Sequence, residues 1–180
     1  GFGTHDEGFE ALTLIQTGTS PIMPIVFVDE PGGSYWSEWA EWLRSHVAER
    51  GLISERDLSL FCVTDDVETA AHEILNFYSN YHSCRYVADR LVLRLRQAPD
   101  AEQLDALNRD FADLVSKGEI EASGPLEQEG GEFPQHARLT LQFNHREIGR
   151  LRGLIDVVNG YVSASAAPPR DAAPLEIVEQ

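Results

Sequence analysis

Two kinds of patterning meet near residue 84, and the change between them limits the folds open to this chain. Before that point, near-continuous apolar runs alternate with segments of helical spacing. Ile22–Val28 is apolar apart from Pro24, and Leu58–Val63 holds Leu58, Leu60, Phe61, Cys62 and Val63. Runs of this kind suit parallel strands covered on both faces. Three helices are expected around them. Gly8 to Gln16 places Phe9, Leu12 and Ile15 at helical spacing and stops at Gly18. Ser34 can cap a second helix to about Arg50, with Trp36, Ala40, Leu43 and Val47 as its inward stripe and Trp39 and Trp42 outside it. The third runs from about Val67 to His82, behind Asp65-Asp66, an acid pair suited to the positive end of a helix dipole. Alternating strand and helix predicts a doubly wound α/β sheet for residues 1–83.

After residue 84 the period becomes two. Leu91, Leu93 and Leu95 alternate with Val92, Arg94 and Arg96, and Leu139, Leu141 and Phe143 with Thr140 and Gln142. Such alternation predicts antiparallel strands, each with one wet face. A helix over about Ala101–Lys117 lies between them and another, about Arg146–Asn159, follows, so residues 84–162 read as a small α+β extension. Gly124–Pro134 reads as a polar loop. Residues 163–180, rich in proline and alanine with little to bury, read as a disordered tail.

Composition narrows the function classes. Thirty acidic against fourteen basic residues give a net charge of −16, a field that repels nucleic acid and favours a free nucleotide met by local donors. No apolar run is long enough to span a bilayer, and a cytoplasmic protein is expected. Cys62 and Cys84 fall in different elements and read as thiols in a reducing compartment. The histidines at 5, 46, 72, 82, 136 and 145 form no helical ligand pair, and His82-x-Cys84 is too little for zinc, so no metal is expected. Arg85, Arg90, Arg94 and Arg96 form a basic cluster that can hold an effector phosphate or pair with neighbouring acids; the excess of Asp and Glu favours pairing. Tyr78, Tyr81 and Tyr86 with the three tryptophans are aromatic enough to stack on a base, although packing is the commoner use.

The run Gly1-Phe2-Gly3-Thr4-His5-Asp6-Glu7 carries the most chemistry. A glycine-rich turn delivering the chain into a helix brings backbone N–H groups close to an anion. Thr4 is placed to N-cap that helix, and Glu7 in its first turn sets a carboxylate beside the anion site. The same Thr-x-x-Glu spacing also fits a capping box. A dinucleotide fingerprint needs a third glycine where Asp6 stands, and no lysine follows Gly3 as a P-loop requires.

This run resembles the tail of Pro-Gly-Gly-x-Gly-Thr-x-x-Glu, the signature of the Lonely Guy (LOG) family. These phosphoribohydrolases of nucleoside 5′-monophosphates were long mislabelled lysine decarboxylases. The similarity continues through Glu10–Gly18, Pro24–Asp29, Gly33–Trp36, Arg50–Ile53 and Val63–Asp66, and covers about residues 1–82. The resemblance implies a Rossmann-like fold and cleavage of an N-glycosidic bond without a cofactor. It implies that Gly1, Gly3 and Thr4 bind the substrate 5′-phosphate and that Glu7 is catalytic. It also implies a homodimer or larger. The family's first Pro-Gly, upstream strands and Arg-bearing segment are absent from this sequence. The chain is therefore expected to be the C-terminal portion of a longer bacterial member, inactive alone. The alternative from another class is a non-catalytic nucleotide-binding, regulatory or oligomerisation module.

Overall fold

A computed structural model describes residues 1–162; the expected tail at 163–180 lies outside the described residues. The described residues form a mixed α/β structure with two sheets. Helix α1 (Phe2–Gln16) leads to strand β1 (Ile25–Val28), helix α2 (Tyr35–Leu43), strand β2 (Phe61–Thr64) and helix α3 (Val67–Phe77). Strands β1 and β2 pair in parallel, Ile25 opposite Phe61 and Val28 opposite Thr64. Strands β3 (Tyr81–Val87) and β4 (Arg90–Leu95) follow, then helix α4 (Ala101–Asp110), strands β5 (Val115–Ser123) and β6 (Ala137–Phe143), and helix α5 (Ile148–Gly160). The second sheet is antiparallel, in the order β3-β4-β6-β5. The α/β class and the antiparallel extension agree with the sequence patterning. Among the described residues the doubly wound sheet is represented by its parallel pair alone.

Several boundaries differ, each for a local reason. Helix α1 begins at Phe2, six residues before the expected Gly8. Gly3 lies inside the helix and is not among the positive-φ glycines. The glycine that matters for close approach is Gly8, where a Cβ would lie 3.1 Å from the Phe27 ring. Helix α2 runs on past Leu43 as a π-helical turn over Arg44–Ala48. The expected strand at Leu58–Val63 starts only at Phe61. A 3₁₀ segment, Glu55–Leu60, precedes it, opened by a cap in which the Ser54 hydroxyl accepts from the Arg56 amide and the Asp57 carboxylate accepts from the Ser54 amide.

Helix α3 stops at Phe77, not His82. Asn159 of α5 takes over its last turn: its Nδ2 donates to the Phe77 carbonyl at 2.7 Å, and its Oδ1 accepts from the amides of Asn80 and Tyr81 at 3.1 and 2.8 Å. Helix α4 stops at Asp110 rather than Lys117, and β5 follows. That strand was illegible because it is an edge strand on which Ile120 alone is buried. Trp39, expected outside the α2 stripe, lies instead against Phe27 and Phe61, with ring centroids 4.8 and 5.4 Å away. Trp42 does face outward.

One core serves both sheets. Leu91, Leu93 and Leu95 of β4 and Leu139, Leu141 and Phe143 of β6 pack with Leu107 of α4, Leu151, Leu154, Ile155 and Val158 of α5, and Ile15, Ile22 and Leu60 from the first half. Helix α5 approaches the 3₁₀ segment so closely that a Cβ on Gly149 would lie 2.2 Å from the Arg56 carbonyl oxygen. The Ser59 hydroxyl donates to the Gly149 carbonyl at the same crossing, at 3.2 Å.

The opposite face of the antiparallel sheet was expected to be wet, and at Arg94 and Arg138 it is not. The segment between β5 and β6 folds over them and inserts Glu129, whose side chain is fully buried. Its carboxylate accepts from Arg138 Nε at 2.6 Å, Arg94 Nε at 2.9 Å and the Leu126 amide at 3.0 Å. Burial alone would raise the Glu129 pKa; the hydrogen bonds from Arg138, Leu126 and Arg94 outweigh it and hold it down to about 2.

Two consequences are measurable. Gly149→Ala forces helix and segment apart and is expected to cost about 1–3 kcal/mol or more, an overpacking penalty against rigid backbone, read as a lowered melting temperature. Glu129→Gln leaves the buried Arg138 guanidinium with no carboxylate and Arg94 with Glu132 alone, and is expected to cost about 3–5 kcal/mol in denaturant unfolding. A depressed carboxylate pKa stabilises the fold fully above the unfolded value. The Glu129 contribution is therefore present at neutral pH and is lost as pH falls from about 4.5 through about 2. The glutamine variant should lose that part of the acid dependence.

Candidate active site

The first two turns of α1 lie beside the loop that leaves the C-terminal end of β1, the edge of a parallel sheet where α/β proteins place ligands. His5 connects the two. Its Nε2 lies 3.4 Å from the Tyr35 hydroxyl, and its ring is 5.4 Å from that of Trp36. Its Nδ1 is 3.2 Å from the Gly1 carbonyl. Phe9, Phe27, Trp39 and Phe61 continue this aromatic contact downward and fix α1 on the sheet.

Gly1, Gly3, Thr4 and Glu7 all stand in this exposed opening of α1. Gly1 is the N-cap residue and no side chain caps the helix. Thr4 therefore lies inside the first turn and is not the cap, and the Thr4–Glu7 capping box does not form. The correction follows from the early helix start. With the chain already helical at Phe2, the Thr4 backbone cannot take the extended conformation that a cap requires. Helical spacing still places Gly3, Thr4 and Glu7 on one side of α1. The amides of Phe2, Gly3 and Thr4 precede the first intrahelical bond, His5 N–H to the Gly1 carbonyl at 3.4 Å. They remain available as donors at the positive end of the dipole.

The loops around this opening are tied by carboxylates. Asp29 accepts from the Trp36 amide at 3.0 Å, and Asp65 from the Gly32 amide at 2.9 Å. Asp66 caps α3 through the amides of Thr69 and Glu68, as expected of the acid pair. Hydrogen bonds from the Thr69 hydroxyl and then its amide lower the Asp66 pKa. The first forty-three residues contain no lysine or arginine. The opening thus supplies backbone donors, a threonine hydroxyl and acids, but no cation from this stretch. An anion held here needs its counter-charge from elsewhere.

Sequence reasoning missed His5 and Tyr35 as neighbours of this opening. His5 sits inside the run already singled out, but its partner is thirty residues away and nothing in spacing links the two. A separate cavity of about 260 Å³ lies between Ile15, Ile22, Cys84, Tyr86, Leu91 and Leu151, and includes none of the four expected site residues. Both cysteines are free thiols. Among the described residues no group of three or more His, Cys, Asp or Glu side chains is placed to hold a metal ion. No helix there is long and apolar enough to cross a membrane.

Comparison with curated proteins finds no match. The model of the family described as possible lysine decarboxylase, to which LOG-like proteins belong, matches residues 1–74. That stretch runs from α1 into α3 and contains all four expected site residues, so this part of the chain is similar to that family.

Proposed function

We propose that this chain is the C-terminal part of a nucleotide phosphoribohydrolase that cleaves nucleoside 5′-monophosphates into free base and ribose 5-phosphate. The observation carrying this reading is the family match over residues 1–74, on a segment whose helix opening displays unpaired amides beside Thr4 and Glu7. The amides around Gly1 and Gly3, with the Thr4 amide and hydroxyl, hold the 5′-phosphate. Glu7 orients and deprotonates a water that attacks the anomeric carbon, and its charge stabilises the cationic ribose as the bond breaks. The leaving base takes the electron pair of the broken C–N bond and a proton. No redox cofactor enters, because hydrolysis transfers no electrons.

The missing counter-charge is assigned to an arginine in the upstream part of the parent protein. The described strands β1 and β2 have no further strand partners. Phe2, Val67, Ile74 and Leu75 are exposed apolar side chains on α1 and α3. Both features support a larger sheet, and a homodimer or higher assembly, completing this half. Residues 84–162 then form an extension docked on the catalytic part through α5. A reducing cytoplasm suits the free thiols of Cys62 and Cys84.

A second reading is a nucleotide-binding module without turnover, favoured by the exposure of Glu7. One experiment separates the two. In the full-length protein, Glu7→Gln is expected to retain AMP binding by calorimetry and to lose base release by about 10²–10⁴-fold, the usual weight of a general base. Asp6→Asn should change turnover little. Normal base release by the Glu7 variant ends the catalytic assignment, and a wild-type protein that binds AMP, CMP or UMP without releasing base supports the module.

A further inference from the structure

The basic cluster noted in the sequence is mostly neutralised by acids, as the charge balance favours. Arg85 pairs with Glu132 at 2.9 Å, Arg90 with Glu121 at 2.5 Å, and Arg94 with Glu129 and Glu132. Arg96 differs. Its Nε donates to the Tyr78 carbonyl at 3.3 Å, and no carboxylate pairs with it among the described residues.

Two histidines flank it in the ladder, because the preceding Leu95 pairs with Tyr81 on one side and Ala137 on the other, the neighbours of His82 and His136. His82 is the extra residue of a β-bulge in β3, between Tyr81, opposite Leu95, and Ser83, opposite Arg94. A bulge re-aims its side chain out of the ladder. Here the His82 ring meets that of His136 with centroids 4.5 Å apart at 77°, and Phe133 lies 4.5 Å from His82. His136 is only 8% exposed, and neither of its ring nitrogens has a hydrogen-bond partner among the described residues. A buried polar group left unpaired is costly, and a histidine that serves packing alone ordinarily finds at least one partner. The His82 Nδ1 is 2.9 Å from the Ser83 hydroxyl, and its Nε2 makes no hydrogen bond among the described residues.

The charged groups acting most on the pair are positive. After burial, the groups acting on His82 are His136, Arg96, Arg94 and Arg138, which push its pKa down to about 4. Burial, then Arg96, Arg138 and Arg94, lowers that of His136 too. Among the described residues no carboxylate hydrogen-bonds either ring; Glu129 and Glu132 are committed to Arg94 and Arg138 or Arg85. Such a field repels a metal cation and draws an anion.

We propose that His82, His136 and Arg96 form a binding site for a tetrahedral oxyanion, a phosphate group free or esterified. The site is independent of Glu7 and of the catalytic reading. The anion supplies the negative charge that the pair lacks. An imidazole takes up a proton and becomes a donor, and the Arg96 guanidinium adds a charge-assisted hydrogen bond. Binding and proton uptake are then linked, so affinity rises as pH falls.

The test follows histidine ring resonances by NMR while the protein is titrated with sodium sulfate, a dianion throughout the range. Sulfate is expected to shift the His82 and His136 signals, raise their titration midpoints, and bind at least about tenfold more tightly at pH 5.5 than at pH 7.5. Arg96→Gln is expected to weaken binding about tenfold, and His136→Phe to remove most of the pH dependence. Should the phenylalanine variant fail to fold, Arg96→Gln, on the half-exposed side, carries the test. Inorganic phosphate against glycerol 3-phosphate tells whether the free or esterified group is preferred, either supporting the site. Unmoved His82 and His136 signals in sulfate and both phosphates, or a response to zinc alone, overturn it.

Discussion

The crossing of α5 over the 3₁₀ segment at residues 55–60 is the contact on which the rest of the molecule depends. Helix α5 has one side on the antiparallel sheet and the other against that segment, and Gly149 is where its backbone comes within reach of the Arg56 carbonyl. Because a side chain is excluded there, the helix sinks far enough for Leu151, Leu154, Ile155 and Val158 to join Ile15, Ile22 and Leu60 in one core. Two sheets of different type, neither able to bury both its faces alone, thereby share a single apolar interior. Asn159 at the far end of the same helix completes the join by satisfying the backbone where α3 gives way to β3.

The outer face of the antiparallel sheet is closed by a different force. Glu129 is enclosed between two arginines, and the segment from Gly124 to His136 lies over them with Glu129 and His136 turned inward and most of its other residues exposed. A lone buried carboxylate would be prohibitive, whereas one accepting from two guanidinium groups and a backbone amide is not. This arrangement uses up the acids nearest β4 and β6. Left at its margin are Arg96, with no carboxylate partner among the described residues, and the neutral rings of His82 and His136, which is why that margin reads as a place for an anion.

The opening of α1 presents the reverse balance. Its donors are backbone amides and its side chains are acidic, with no cation within the first forty-three residues. A phosphate there would be oriented by the helix but not neutralised by it. The functional reading therefore requires a basic group from another segment. The exposed apolar side chains of α1 and α3 mark surface on which such a segment can pack.

Periodicity alone made the α/β first half, the antiparallel second half and most helix faces legible, because runs, alternation and helical spacing are local consequences of which face is buried. Edge strand β5 escaped since it buries almost nothing, and β3 because Tyr78–Tyr81 reads as more helix until Asn159 is brought to it from seventy-eight residues away. For the candidate site, the Gly-x-Gly-Thr run and Glu7 were recognisable from residue types, while its geometry was not: Thr4 proved to be inside the helix, and His5 gained Tyr35 as a neighbour only through folding. Residue order thus determined the classes of element and the cluster of candidate groups. Tertiary structure decided which glycines are obligatory, which arginines are spent on acids, and which histidines are left without partners, since those outcomes depend on distances between segments that no local pattern encodes.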